Sequence, residues 1–349
     1  MPDNLLKTNT LLRPVAQWWH ATPALAAIAY PFLLKGFHLA AATGTAVPAA
    51  LLALAMAIPL LGFFVAFDLG KIALPDPAQR RLKRLAWLAV AAPPIFTADG
   101  VLSYMGGDTI SDLALWLAFW ILAAAWGVAA LWRPARAVRG APPAPANDGP
   151  HRLRVAHGVS ALLILALFLV MHLTNHLAGL LSEARHRQWM DAFRFVYRAP
   201  VVEPLIVALF LFQALSGSAL LHGLSARPAD FFKSLQLASG AYLLFFILAH
   251  MNSVFLYARR FAGIKTDWDF ATGAPAGLLH DAWNIRLVPH YYFGVFLVLA
   301  HLALAARALA LAHGVAVRRA DAATRLGIGA GAIIAALIML GMSGVHLLR

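Results

Sequence analysis

Between His157 and His176 the chain reads HGVSALLILALFLVMHLTNH, apolar enough to cross a bilayer yet carrying His157, His172 and His176. Farther along, Gln213, His250 and His301 interrupt runs that are otherwise apolar. Placing such a group in hydrocarbon costs free energy that a partner must return. A neutral imidazole has two ways to recover it. It hydrogen-bonds the backbone or a hydroxyl of a neighbouring helix, or it ligates a metal through a ring nitrogen.

Depth sorts these residues into two levels. His172 and His250 each fall about 7–8 residues before the end of their apolar run, which at about 1.5 Å per residue puts both ~10–12 Å below the same surface. Gln213 and His301 lie about 12–13 residues into runs of the opposite direction, near ~20 Å from that surface. Neutral imidazoles facing each other across a helix bundle suit the axial positions of a bis-histidine haem. Arginines just above the upper level, Arg194, Arg198 and Arg259, would then meet its propionates. His172 and His250 are thus the expected ligands of the haem iron. His176, one turn beyond His172, is an alternative ligand or a hydrogen-bond donor to a propionate or quinone carbonyl. His157 and His222 fall near the inner ends of their runs and read as interfacial residues.

The elements that must position these groups are transmembrane helices. The chain has 349 residues, is 61% hydrophobic and 12% charged, and contains no cysteine. Disulfides, iron–sulfur clusters, Cys-based zinc sites and covalently attached c-type haem are excluded on that ground. Nine apolar stretches, roughly 23–42, 47–67, 82–102, 110–132, 154–179, 201–222, 235–258, 288–311 and 324–347, approach the ~20 residues that span ~30 Å of hydrocarbon. Backbone polar groups must be paired within lipid, which makes each a helix and the fold all-α, a polytopic transmembrane bundle. Pro59 and the pair Pro93-Pro94 predict kinks in the second and third spans.

The formal charge of +13 belongs to interhelical loops, where topology and lipid headgroups account for it, and nucleic acid is not an expected partner. Lys71, Arg80, Arg81, Lys83 and Arg84 follow the second span and Arg133, Arg136 and Arg139 follow the fourth. Together they predict a cytoplasmic N-terminus in a bacterial inner membrane; the first 22 residues hold Lys7 and Arg13 but no compact apolar core before a small-residue cleavage site, so no cleaved signal peptide is expected. Against that rule, the loops 181–199 and 259–287 are expected outside although they hold Arg185, Arg187, Arg194, Arg198, Arg259, Arg260, Lys265 and Arg286. Either long loops escape the rule, or this half is inverted, or something anionic sits there. A Pro/Ala-rich linker over 139–153 divides a four-helix N-terminal unit, 1–138, from a five-helix unit, 154–349.

Residues 151–311 resemble the membrane cytochrome b subunit of succinate dehydrogenases and fumarate reductases, in its single-chain five-helix form. The resemblance is carried by HRLRVAHGVS from His151, MHLTNH from Met171, LFQALSG from Leu211 and LHG from Leu221. SLQLASG from Ser234 leading to His250, and YFG from Tyr292 leading to His301, complete it. It implies a four-helix haem-type core with His172 and His250 holding the outer haem, together with a quinone and a flavoprotein or iron–sulfur partner subunit. The family's second, inner haem would use a histidine where this chain has Gln213, opposite His301. The departure leaves that haem absent, five-coordinate on His301, or replaced by a quinone or another group. One haem b on the outer side is therefore the expectation, with quinone as a further candidate. The N-terminal half, with His20 and His38, lies outside the resemblance; a duplication that lost its ligands is one account of it.

Other constellations are weaker. Asp267, Asp269, His280, Asp281 and His290 are candidates either for a divalent metal or for a packed lid over the pocket. Trp116 and Trp120 read as interfacial or packing aromatics. No Walker loop, dinucleotide fingerprint, nucleophile elbow or HExxH is present. Two alternatives stand beside the cytochrome: a module that holds haem or a lipophilic molecule without turnover, as a sensor or anchor, and a haemless transporter.

Overall fold

A computed structural model describes residues 18–41, 45–72, 75–132, 151–224 and 227–348. Lys7, Arg13, Arg133, Arg136, Arg139 and the proposed linker up to residue 150 lie outside the described residues. Among the described residues the regular structure is helical, without strands. Eight helices are long and apolar enough to cross a membrane, or nine if a bent pair counts as one span. The N-terminal helices are α1 (Thr22–Ala40), α2 (Val47–Gly70), α3 (Pro77–Val90), α4 (Ala92–Met105) and α5 (Asp112–Leu131).

The third span breaks where its prolines predict. The helices α3 and α4 meet at 67°. Pro93 and Pro94 fall in the first turn of α4, where their missing N–H groups would find no intrahelical acceptor in any case. Pro59, by contrast, sits within the continuous α2. Tyr30, Phe96, Trp116 and Trp120 make the core of these helices, all at least 95% buried. The two tryptophans are therefore packing residues, and the Trp116 indole donates to the Ala27 carbonyl at 2.8 Å.

The C-terminal half is a ring. Its first wall is one long span made of α6 (His151–Ile164), a π-helical segment (Leu165–Leu169) and α7 (Val170–Leu181). After α8 (Glu183–Tyr197) come α9 (Val202–Leu224) and α10 (Phe231–Met251), which continues as a π-helix over Asn252–Ala262. Two short helices, α11 (Trp268–Thr272) and α12 (Gly277–His280), precede α13 (Leu287–Ala312) and α14 (Val317–Met342). Packing runs in a closed circuit: α6 on α9, α9 on α10, α10 on α13, α13 on α14, and α14 on α7. Walls that are not neighbours in this circuit share no extensive backbone contact, so their side chains meet across a central space. A Cβ at Gly341 would sit 2.7 Å from the Leu180 backbone nitrogen, so the α14–α7 closure needs glycine there. Beyond α14 the chain clips onto the end of α7, with Leu347 N–H donating to Leu180 O and Leu348 N–H to Leu181 O, each at 2.9 Å.

The N-terminal helices α2, α3 and α4 pack against the outside of α10, and α4 also touches α13. Arg286 ties the two halves together. Its guanidinium lies 2.7 Å from Asp112 on α5 and over the Phe96 ring of α4 at 4.4 Å.

Candidate functional site

Two loops cover one end of the ring. In the first, Ser182 caps α8 by accepting from Arg185 N–H at 3.2 Å, which starts a helix where the sequence reading had only a loop. In the second, Gly263 takes a left-handed conformation (φ 64°) that ends the π-helix, and Asp267 caps α11. The loops are laced together: Arg187 pairs with Asp269 at 2.9 Å, Arg194 donates to Thr266 O at 2.5 Å and Arg198 to Thr266 Oγ1 at 2.6 Å. Trp268, 3% exposed, closes the lid against His186, with ring centres 4.4 Å apart.

Below this lid the expected ligands meet. The ring centres of His172 on α7 and His250 on α10 are 6.1 Å apart, although the two helices are not packing neighbours. Phe168 stacks on His172 at 4.7 Å and Phe246 on His250 at 5.5 Å, so each imidazole is fixed from behind by an aromatic ring one turn earlier. Neither imidazole hydrogen-bonds another described residue. His176 stands 4.7 Å from His172, edge to face, and His186 continues the series 5.3 Å beyond it.

These two residues would suit a metal-centred group held from opposite sides. An imidazole nitrogen binds a metal at about 2 Å with its ring centre roughly 1 Å farther back, so two rings on opposite sides of one metal have centres about 6 Å apart. The observed separation agrees with this. The donors are also of the right kind, two imidazoles whose ring nitrogens are occupied by no hydrogen bond among the described residues.

The arginines named from the sequence converge as well. Arg194, Arg198 and Arg259, with Arg187 and Lys265, line one cavity of about 580 Å³ at the lid. Arg259 is committed there to Glu203, in a bidentate pair at 2.7 and 3.1 Å. Burial, and then repulsion from Arg194 and Arg259, holds the Arg198 guanidinium below its ordinary pKa. That is the direction expected of a site with room for another anion.

A second cavity, about 560 Å³, opens on the other side of the lid loop. It is walled by His250, His290, Tyr291 and Tyr257 of the ring and by Thr97 and Tyr104 of α4. The N-terminal half thus contributes to a space that reaches the expected iron ligand.

At the lower level the arrangement differs from expectation. Gln213 is tied to α6, its amide donating to His157 O at 2.8 Å and to Ser160 Oγ at 2.6 Å. His157, read from the sequence as interfacial, is bound at Nδ1 to Ser216 Oγ at 2.7 Å. His301 Nδ1 meets Ser239 Oγ at 2.9 Å.

The loop acids do not assemble a metal centre. Asp281 accepts from the Trp283 and Asn284 amides, Asp267 caps α11, and Asp269 holds Arg187. No group of three or more His, Asp or Glu is arranged to hold a metal ion among the described residues. Sequence reasoning missed His186, whose only signal was its place on the buried face of an amphipathic helix within a loop. The chain matches no protein-family model, no curated protein and no solved structure.

Proposed function

We propose that this chain is an integral membrane b-type cytochrome that holds one haem between His172 and His250 and exchanges electrons with a quinone and a partner redox subunit. The observation that carries the reading is the pair of imidazoles, hydrogen-bonded to no other described residue, 6.1 Å apart across helices that are not packing neighbours. The group would supply one-electron chemistry at its iron.

The chain's own residues do the rest. His172 and His250 ligate, and Phe168 and Phe246 fix their planes. Arg194 and Arg198 neutralise carboxylates at the lid, and Trp268 keeps water from the histidines. The 560 Å³ cavity beside His250 suits a quinone ring, with His290, Tyr291 and Tyr104 as hydrogen-bonding groups on its wall. A flavoprotein or iron–sulfur partner is invoked because a chain without cysteine has no thiolate for a cluster of its own. The reading includes the bacterial inner membrane and an N-terminus on its cytoplasmic side, with the lid facing outward.

The test is a reduced-minus-oxidised visible spectrum with a pyridine haemochrome assay on the purified full chain and on His250→Ala. A b-type spectrum that loses its bis-histidine signature in the variant supports the reading. A colourless protein from haem-replete cells would sink it. Reduction by added quinol then separates electron transfer from a module that binds haem without turnover.

A further inference from the structure

Three cations of the lid lack a counter-charge among the described residues. Arg194, Arg198 and Lys265 line the cavity of about 580 Å³, and none of them forms an ion pair with a carboxylate there. The other two cations of its lining are committed, Arg187 to Asp269 and Arg259 to Glu203. Two acids share the lining, but Asp267 accepts from the Phe270 amide and Asp191 is exposed. Thr266 clamps the two free guanidiniums side by side, taking one N–H of Arg194 on its carbonyl and one of Arg198 on its hydroxyl. A guanidinium has five such donors, so most remain to be used. The Arg194 Nε hydrogen is buried without an acceptor, a cost that an oxyanion would recover. Burial, and then repulsion from Arg194 and Arg259, disfavours the charge on Arg198, and a bound anion would relieve that too.

The cavity lies at the depth of lipid headgroups. Arg259 falls three residues inside the end of the span Phe231–Ala262, about 5 Å from its edge, and Lys265 falls three residues beyond it. Headgroups occupy roughly 5–7 Å on each face of the hydrocarbon. Apolar side chains stand at its rim: Phe195, next to Arg194, is 88% exposed, and Val201, three residues past Arg198, is 79% exposed. A free ion gains nothing from them. A molecule with an anionic head and acyl chains uses both the cations and the apolar rim. No histidine lines this cavity, so its ligand arrives from the membrane surface and not with a group held by His172 and His250.

We propose that this cavity binds the phosphate group of an anionic phospholipid, held by Arg194, Arg198 and Lys265, with its acyl chains against Phe195 and Val201. Arg194 and Arg198 stand at the end of α8, and Lys265 stands in the loop after the π-helix. A phosphate shared among them joins the two loops of the lid. The site neither needs nor excludes the cytochrome reading, because the spare N–H groups of the same arginines can meet haem carboxylates.

The test is native mass spectrometry of the full chain released from nanodiscs of phosphatidylcholine mixed with phosphatidylglycerol. Retention of about one phosphatidylglycerol per chain, enriched over phosphatidylcholine, is expected. Arg194→Gln/Arg198→Gln should lower the retained fraction by at least about tenfold, each cation near a lipid surface adding a comparable increment. Arg194→Lys/Arg198→Lys, which keeps the charges, should retain more than the Gln pair. Arg318→Gln/Arg319→Gln, an exposed basic pair on the first turn of α14, should retain the lipid as the wild type does. No enrichment of phosphatidylglycerol in the wild type would overturn the site whatever the variants do. Equal loss in the α14 variant would reduce it to general surface charge and overturn it as well. Inorganic phosphate that displaces the lipid and raises the midpoint of thermal unfolding as much as phosphatidylglycerol does would overturn the lipid in favour of a free anion. A colourless protein leaves every one of these readouts intact, so the site and the cytochrome reading fail separately.

Discussion

His186 sits 2% exposed beneath the lid, with the Asn175 amide donating to its Nε2 at 3.1 Å and Trp268 across its face. Burial first, then repulsion from His176, Arg187 and Arg194, pushes its pKa from 6.5 down to about 3. Its imidazole is neutral in the folded protein where an exposed one would begin to charge. Between about pH 6.5 and pH 3 the unfolded chain therefore binds the extra proton, and stability falls as pH falls, by at most about 1.4 kcal/mol per pH unit for one proton. Above that window the contribution is fully present. His186→Gln, which keeps a group for Asn175, should flatten the acid side of a detergent-unfolding profile taken between neutral pH and pH 4. A profile as steep as the wild type's would mean that His186 already protonates freely within the fold.

The helices bring His172 and His250 together through close approaches that no hydropathy profile contains. Gly294 on α13 lies against Phe246 of α10, where an added Cβ would come within 2.3 Å of the ring. That ring is the one stacked on His250. Gly294→Ala should thus destabilise the α10–α13 contact by roughly 1–3 kcal/mol, the usual cost of overpacking, and turn Phe246 against the histidine. The expected readouts are a lower midpoint of thermal unfolding and a shifted haem spectrum; an unaltered spectrum would show that Phe246 does not fix the His250 plane. The nine apolar spans were legible because hydropathy averages over about 20 residues, and so was the level of His172 with His250, because helical rise is constant. For His157, counting along one span gives a place near its end, while the bond from its Nδ1 to Ser216 on α9 is a contact between helices that no count along a single span contains. Nor did the pattern announce the π-helical segments at Leu165–Leu169 and Asn252–Ala262. They flank His172 and His250 and depend on packing between helices, not on composition; such segments often mark functional sites.

At the scale of the whole molecule the two halves meet through a buried charge. Arg286 is 8% exposed on the side chain, and Asp112, at 24%, is its ion-pair partner from the N-terminal half. Asp112→Ala would leave that guanidinium without its ion-pair partner at the junction, with Asp99 as the remaining acid in range. Partial exposure of the carboxylate puts the expected loss at roughly 1–3 kcal/mol, below the 3–5 of a fully buried pair. Comparison with Arg286→Met and the double variant, by unfolding in detergent, should give a coupling energy of the same sign; additivity would show that the halves are joined by apolar packing alone.

The circuit of five walls also sets an order in time. α14 follows the other four walls in the chain, so during synthesis it enters the bilayer last, and until it docks on α7 the circuit has a seam facing lipid. Through that seam the haem of the proposed function would reach His172 and His250 sideways. Once Gly341 settles on Leu180 and the 346–348 segment latches to the end of α7, the seam is shut. On that proposal, loading would be a step of assembly that the docking of the last helix completes.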